Sequence, residues 1–207
     1  MLQLKKGQRK PLNVTQESRQ RFFVGLGWDP HDDISLFDLA KAMICGTDLE
    51  HDLDLACYAY DELGRSICRV CAVSGFHTDQ TGKIYHSGDN VEGIGDGDDE
   101  QISVELKDLD EAIHSLIFVA SIKSGHVFNE IEHAVIRIVD AYSNHTLLSH
   151  SFSQCEAALS QDCYVFIQVE RAADTDKGWV LKLIDEYCPT VTDGDKRAQY
   201  LKKYLSA

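Results

Sequence analysis

The 207 residues carry 34 Asp and Glu against 20 Lys and Arg, a net charge of −14. Six of the bases fall in residues 1–25 beside Glu17 alone, so the remaining 182 residues hold 14 bases against 33 acids. Nucleic-acid affinity rests on phosphate neutralisation by Lys and Arg, so this balance excludes nucleic-acid binding as the main purpose. At 43% hydrophobic and 9% aromatic the chain is too apolar for disorder, and its length suits one domain with small appendages.

The first 25 residues are basic and polar, with no apolar run of the signal-peptide kind. The most apolar run, 115–122, is too short to span a bilayer, so no transmembrane segment is expected. Seven cysteines, an odd number at irregular spacing, read as free thiols in a reducing, cytoplasmic setting. Cys68 and Cys71 spell C-x-x-C inside a strand-like stretch, where residues three apart face opposite sides. They read as small core residues rather than a metal or redox pair.

In chain order, the first regular element is a short helix over 35–44. Ser35 serves as its N-cap, Asp38 follows three residues later, Leu36, Leu39 and Met43 share a stripe, and Gly46 stops it. Period-two runs follow at 51–60, 66–73 and 101–106, then at 116–122, 134–139, 146–152, 163–169 and 179–184. Turn-rich patches at 79–82, 87–90 and 173–178 separate them. The C-terminal segment 196–205, capped by Asp195, sets Ala198, Leu201 and Leu205 along one side of a helix. Trp28, Trp179, Phe22, Phe118 and Phe166 read as core. The expected fold is all-β: a two-sheet antiparallel β-sandwich with a short inserted helix and a C-terminal helix. Residues 1–190 would form the domain and 191–207 a helical extension packed on it.

The acids are not spread evenly. Ten lie in 29–62 and ten in 89–111, so 20 of the 34 fall within two short segments. Asp52 and Asp54 stand at i and i+2 of an expected strand and project from one face, with Cα atoms roughly 6–7 Å apart. Ser87–Asn90 is a turn ending in an acid and an amide. Gly93–Glu100 places four acids among three glycines just before a strand. Carboxylates forced together repel, so either the loop is solvated or a hard divalent cation sits among them. Alternating Asp and Gly suits Ca²⁺, which takes six to eight oxygens in flexible geometry, better than Mg²⁺, which keeps more of its water. The loop is not an EF-hand, because Gln101 and Lys107 occupy the positions that would need Gly and Glu. No zinc spacing, nucleophile elbow, P-loop or dinucleotide fingerprint is present.

Several strings resemble the TerD-type tellurium-resistance and stress protein family, with a TerZ-like insertion at 30–50. They are Gly25-Leu-Gly-Trp-Asp29, Asp52-Leu-Asp54, His86-Ser-Gly-Asp-Asn90 and Gly93-Ile-Gly-Asp-Gly-Asp-Asp-Glu100. Phe128–Ala134 leading to Arg137, and Arg171 with Trp179, resemble the family's second half. The resemblance spans about residues 3–190 and implies a β-sandwich without enzymatic activity that binds calcium, with two ions suited by the number of acids. The ligands it implies are Asp29, Asp52, Asp54, Asp89, Asn90, Asp96, Asp98, Asp99 and Glu100. Three residues depart from the family pattern: Ile94 between the glycines, His133 in place of Asn, and Gly178 in place of an acid before Trp179.

The leading expectation is a non-enzymatic calcium-binding module in stress or tellurium resistance, working with protein partners in a larger assembly. One alternative is a hydrolase using paired metal ions, disfavoured because no Lys, Arg or His accompanies the acids in the 89–106 loop. Another is calcium-switched docking to a membrane or partner, for which few aromatic or basic residues flank the loop.

Overall fold

The computed structural model describes residues 2–29, 52–87, 97–124, 126–152, 158, 160–172, 178–188, 191 and 193–205. Eleven strands are found among them: β1 Arg9–Pro11, β2 Arg21–Asp29, β3 Leu53–Tyr60, β4 Ser66–Cys71, β5 Ile84–His86 and β6 Glu100–Glu105, then β7 Ser115–Ile122, β8 Glu132–Asp140, β9 His145–Ser151, β10 Cys163–Arg171 and β11 Trp179–Cys188. They pair antiparallel into a six-stranded sheet ordered β1-β11-β10-β7-β3-β4 and a five-stranded sheet ordered β5-β6-β2-β8-β9. Helix α1, Gly194–Leu201, follows, continued by a 3-10 turn over Lys202–Tyr204. The expected all-β sandwich with a C-terminal helix is the observed one. The helix expected over 35–44 lies outside the described residues.

Strand alternation builds the core. Phe22, Val24, Leu26 and Trp28 of β2 face Leu53, Leu55, Cys57 and Ala59 of β3 and Leu116, Phe118 and Ala120 of β7 across the sandwich. The register slips between Val165 and Ile167 against both neighbours of β10. That bulge turns the consecutive Phe166 and Ile167 both into the core. The other face of the six-stranded sheet is apolar as well. Tyr58, Tyr60, Ile117, Val119, Val165 and Ile184 lie there beneath Ala198 and Leu201 of α1.

The period-two runs became strands, with ends moved by at most four residues. Three strands are additional. β1 and β5 are three-residue edge strands, too short to show a period. In β2 the hydrophobic alternation is interrupted on its other face by Gly25 and Gly27, residues of low β-propensity. The helix cap also differs: Asp193, not Asp195, accepts the N–H groups of Asp195 and Lys196. Among the described residues the cysteines are unbridged. Cys68 packs toward the inner core and Cys71 toward the layer under α1, the opposite faces expected of residues three apart. No helix among the described residues is long and apolar enough to cross a membrane.

Two departures from the family pattern have a backbone reason. His133 in β8 has φ 51° and Gly178 φ 66°. In the left-handed region Asn and His are enriched among side-chain-bearing residues and Gly is unstrained. Arg171 lies with its guanidinium 4.6 Å from the Trp179 ring centroid and donates to the Ile113 carbonyl at 2.8 Å. That pair clamps β10 to the loop before β7, a structural task.

Asp140 ties the β8–β9 turn to the N-terminal segment. Its carboxylate accepts N–H groups from Tyr142 and Ser143, each at 2.9 Å, and from Thr15 at 2.5 Å. Burial works against ionisation here, but the donors of Ser143, Thr15 and Tyr142 outweigh it and hold the carboxyl at about 2. The unfolded value lies near ~3.9. This stabilisation is therefore present above about pH 4 and lost as pH falls through about 2. Asp140→Asn is expected to cost about 2 kcal/mol at pH 7 and to flatten the acid limb between about pH 4 and pH 2. Urea unfolding at a series of pH values measures both.

Candidate metal centre

Glycine spacing in β2 prepares the ground for the acidic loop. A Cβ on Gly25 would overlap the Asp98 carboxylate, and one on Gly27 would come within 2.6 Å of the Gly97 carbonyl oxygen. The two bare positions let residues 97–99 lie flat on the strand, and Gly97 takes φ 130° to do so. Asp99 donates its N–H to the Leu26 carbonyl at 2.8 Å and accepts the Trp28 N–H at 3.0 Å, stitching loop to strand. Sequence reading found this Gly-x-Gly but gave it no task.

Arg137 reaches the loop from β8, where it is directly paired with Gly25. Its Nε and Nη2 donate to the two oxygens of Asp98 at 2.6 and 3.0 Å, a bidentate pair. Lys123, just past β7, holds Asp54 at 2.5 Å. His86, at the end of β5, stands 3.3 Å from Glu100. The fold thus brings an Arg, a Lys and a His to acids whose own loop has none. Lys123 and Arg137 are far from the acids in sequence, and only strand pairing reveals them.

Glu100 begins β6 and points inward, fully buried. One oxygen accepts the Leu55 N–H at 2.5 Å, beyond the point where β4 stops pairing with β3. The other oxygen is buried with no hydrogen-bond partner among the described residues. Burial pushes this carboxyl up to about 7, against the pull of His86 and the Leu55 N–H.

Of the residues singled out for a metal, Asp98, Asp99 and Glu100 adjoin the end of β2, Asp54 lies close enough to Glu100 for its charge to act on it, and Asp52 stands just before β3. Asp54 alternates away from Leu53 and Leu55, on the face that α1 covers farther along. Asp29 ends β2, its backbone opposite Glu132. Asp89, Asn90 and Asp96, and the Asp29 side chain, lie outside the described residues. Among the described residues, no three His, Cys, Asp or Glu form a ligand group. The donors at hand are oxygens, which suit a hard cation, and the unsatisfied Glu100 oxygen is a position such a cation fits.

The sequence matches the TerD domain over residues 1–187. It is 35% identical to the tellurium resistance protein TerZ of Serratia marcescens over 140 residues, 68% of this chain and 69% of that protein. It is 29% identical to the tellurium resistance protein TerX of the same organism over 219 aligned positions, 98% of each chain. A crystal structure of a telluride resistance protein (TerD) homologue from Streptomyces coelicolor A3(2) superposes with a TM-score of 0.62 at 20% identity, covering 86% of this chain and 94% of that one. That likeness shows the shared sandwich. Bacterial general stress protein 16U also matches. With the domain match running nearly end to end, the chain belongs to the TerD family of tellurium-resistance and general stress proteins.

Proposed function

We propose that the acidic end of the sandwich holds calcium, two ions by the number of acids, and that the protein acts without catalysis as a binding module in a stress or tellurium-resistance response. The observation that supports this is the buried Glu100 oxygen that no donor satisfies. Leaving a carboxylate oxygen buried and unpaired is costly, and a divalent cation beside it removes that cost. Glu100, Asp99, Asp52 and Asp54 would hold the ions with Asp29, Asp89, Asn90 and Asp96, while Asp98 enters only by giving up Arg137. The ions would supply fixed positive charge that lets the acidic segments close on one another. Protein partners in a larger assembly then read the ordered loop. Unbridged thiols fit a reducing, cytoplasmic setting.

Calcium at about a hundred times its Kd is expected to add about 2.7 kcal/mol. For a domain of this size that corresponds to a rise in Tm of roughly 5–10 °C over protein in EGTA. An unchanged melting temperature together with no heat of binding in calorimetry overturns the proposal.

A further inference from the structure

A second site lies away from the Glu100 carboxylate, on the outer face of the six-stranded sheet where α1 begins. There a cavity of about 370 Å³ opens between the sheet and the helix N-terminus. Ala56, Tyr58 and Cys71 of the outer sheet face give it an apolar floor, and three cations stand at its walls: Arg69, Lys123 and Arg197. Asp54 and Asp162 also line it, so on a chain of net charge −14 the cations among the described lining residues are not outnumbered by acids.

The three cations are not equivalent. Lys123 is neutralised by Asp54. Arg69 instead lies over the Phe76 ring, 4.1 Å from its centroid, and Arg197 donates from Nη1 to the Ser121 hydroxyl at 3.2 Å. Those contacts fix both guanidinium groups without cancelling their charge. In each arginine Nε is buried and has no hydrogen-bond partner among the described residues. The donors that can face the cavity are the terminal nitrogens, and among the described residues Arg197 Nη1 to Ser121 is the one hydrogen bond they make, so both guanidinium forks keep donors for a ligand.

The placement of Arg69 sharpens this. Its guanidinium occupies the space a side chain at Gly194 would need, so it lies against the first residue of α1. Cations are favoured at helix C-termini and anions at N-termini, so Arg69 sits at the end where the helix dipole opposes it. Asp193 caps the helix there, and Asp162 is the remaining acid at the wall. An anion seated between Arg69 and Arg197 would accept from the terminal nitrogens of both and complement the dipole.

We infer that this cavity binds a small anionic molecule, with a phosphate- or carboxylate-type oxyanion held by Arg69 and Arg197 and a compact apolar body on the Tyr58 floor. The volume lies at the lower end of small-molecule sites, enough for an oxyanion with a ring-sized body. The cavity borders the proposed calcium site through Asp54, so binding is tested with calcium withheld.

Nuclear magnetic resonance titrations in EGTA test it, with phenyl phosphate, benzoate and inorganic phosphate as probes, each to about 10 mM. The expected result is a saturable shift of the Arg69 and Arg197 Nε–H signals and of the Gly194 amide. Signals of residues 98–100 should stay still. Phenyl phosphate binding more tightly than benzoate names a phosphate headgroup, and the reverse a carboxylate. Arg69→Gln and Arg197→Gln should each weaken binding about tenfold or more. Arg197→Lys, which keeps the charge and packing but loses the fork, should weaken it as well. No shift with any probe, shifts confined to residues 98–100, or undiminished binding in the folded variants overturns the inference.

Discussion

Removing residues 193–207 is expected to leave a chain that does not stay in solution, and Leu201→Ala alone to lower the unfolding free energy by about 2–5 kcal/mol. The reason lies in how many apolar residues the six-stranded sheet turns outward. Tyr60, Ile117 and Val165 are fully buried on that face, and Leu201, also fully buried, is the helix residue that seals them. The Tyr60 hydroxyl donates to the Ala198 carbonyl at 2.8 Å, and Lys182 donates to the Tyr204 carbonyl at 3.0 Å. A polar group therefore anchors each end of the cover. Burying a Leu or Tyr side chain contributes roughly 1.5–3 kcal/mol, so losing Leu201, Tyr204 and Ala198 together removes much of a domain's net stability. Urea unfolding of Leu201→Ala and light scattering of the truncated chain measure the two effects. A soluble truncated chain with native-like unfolding would show that the sheet keeps its outer face covered by other means.

Glu100→Gln should act with opposite signs in two buffers. In EGTA the variant is expected to be more stable than the wild type by about 1–3 kcal/mol, because a neutral amide of the same shape replaces a buried carboxylate. The glutamine carbonyl can still accept the Leu55 N–H and keep the 3.3 Å contact with His86, since both fall on one oxygen, and the neutral amide takes the place of the other. In calcium the ranking should invert, since the wild type gains the ion and the variant has lost a charged oxygen. Thermal melts of both proteins in both buffers form a closed cycle. A variant less stable by the same amount in EGTA and in calcium would show that Glu100 is only a structural acceptor for Leu55.

Sequence reading located the strands because each inner face repeats every second residue, and it located the acidic end because charge density is a local property. It could not see what answers that charge. Arg137 and Lys123 lie in or beside ordinary strand patterns and become relevant only when β8 pairs with β2 and β7 with β3. The cap of α1 escaped for a related reason. Asp193 and Asp195 both suit an N-cap, and the helix begins at Gly194, where Arg69 from β4 leaves no room for a side chain. The tasks of Gly25 and Gly27 were likewise invisible, because the loop they make room for arrives from seventy or more residues away.

The sheet margins carry a consequence for behaviour at high concentration. Open strand edges template the growth of one chain's sheet onto another's, and fibrils propagate that way. Here β1 and β5, an outer strand of each sheet, offer only three residues each. β1 also ends in Pro11, opposite Val180, which has no N–H to give an incoming strand. A chain built on two β-sheets therefore offers little along these two margins for a second copy to extend.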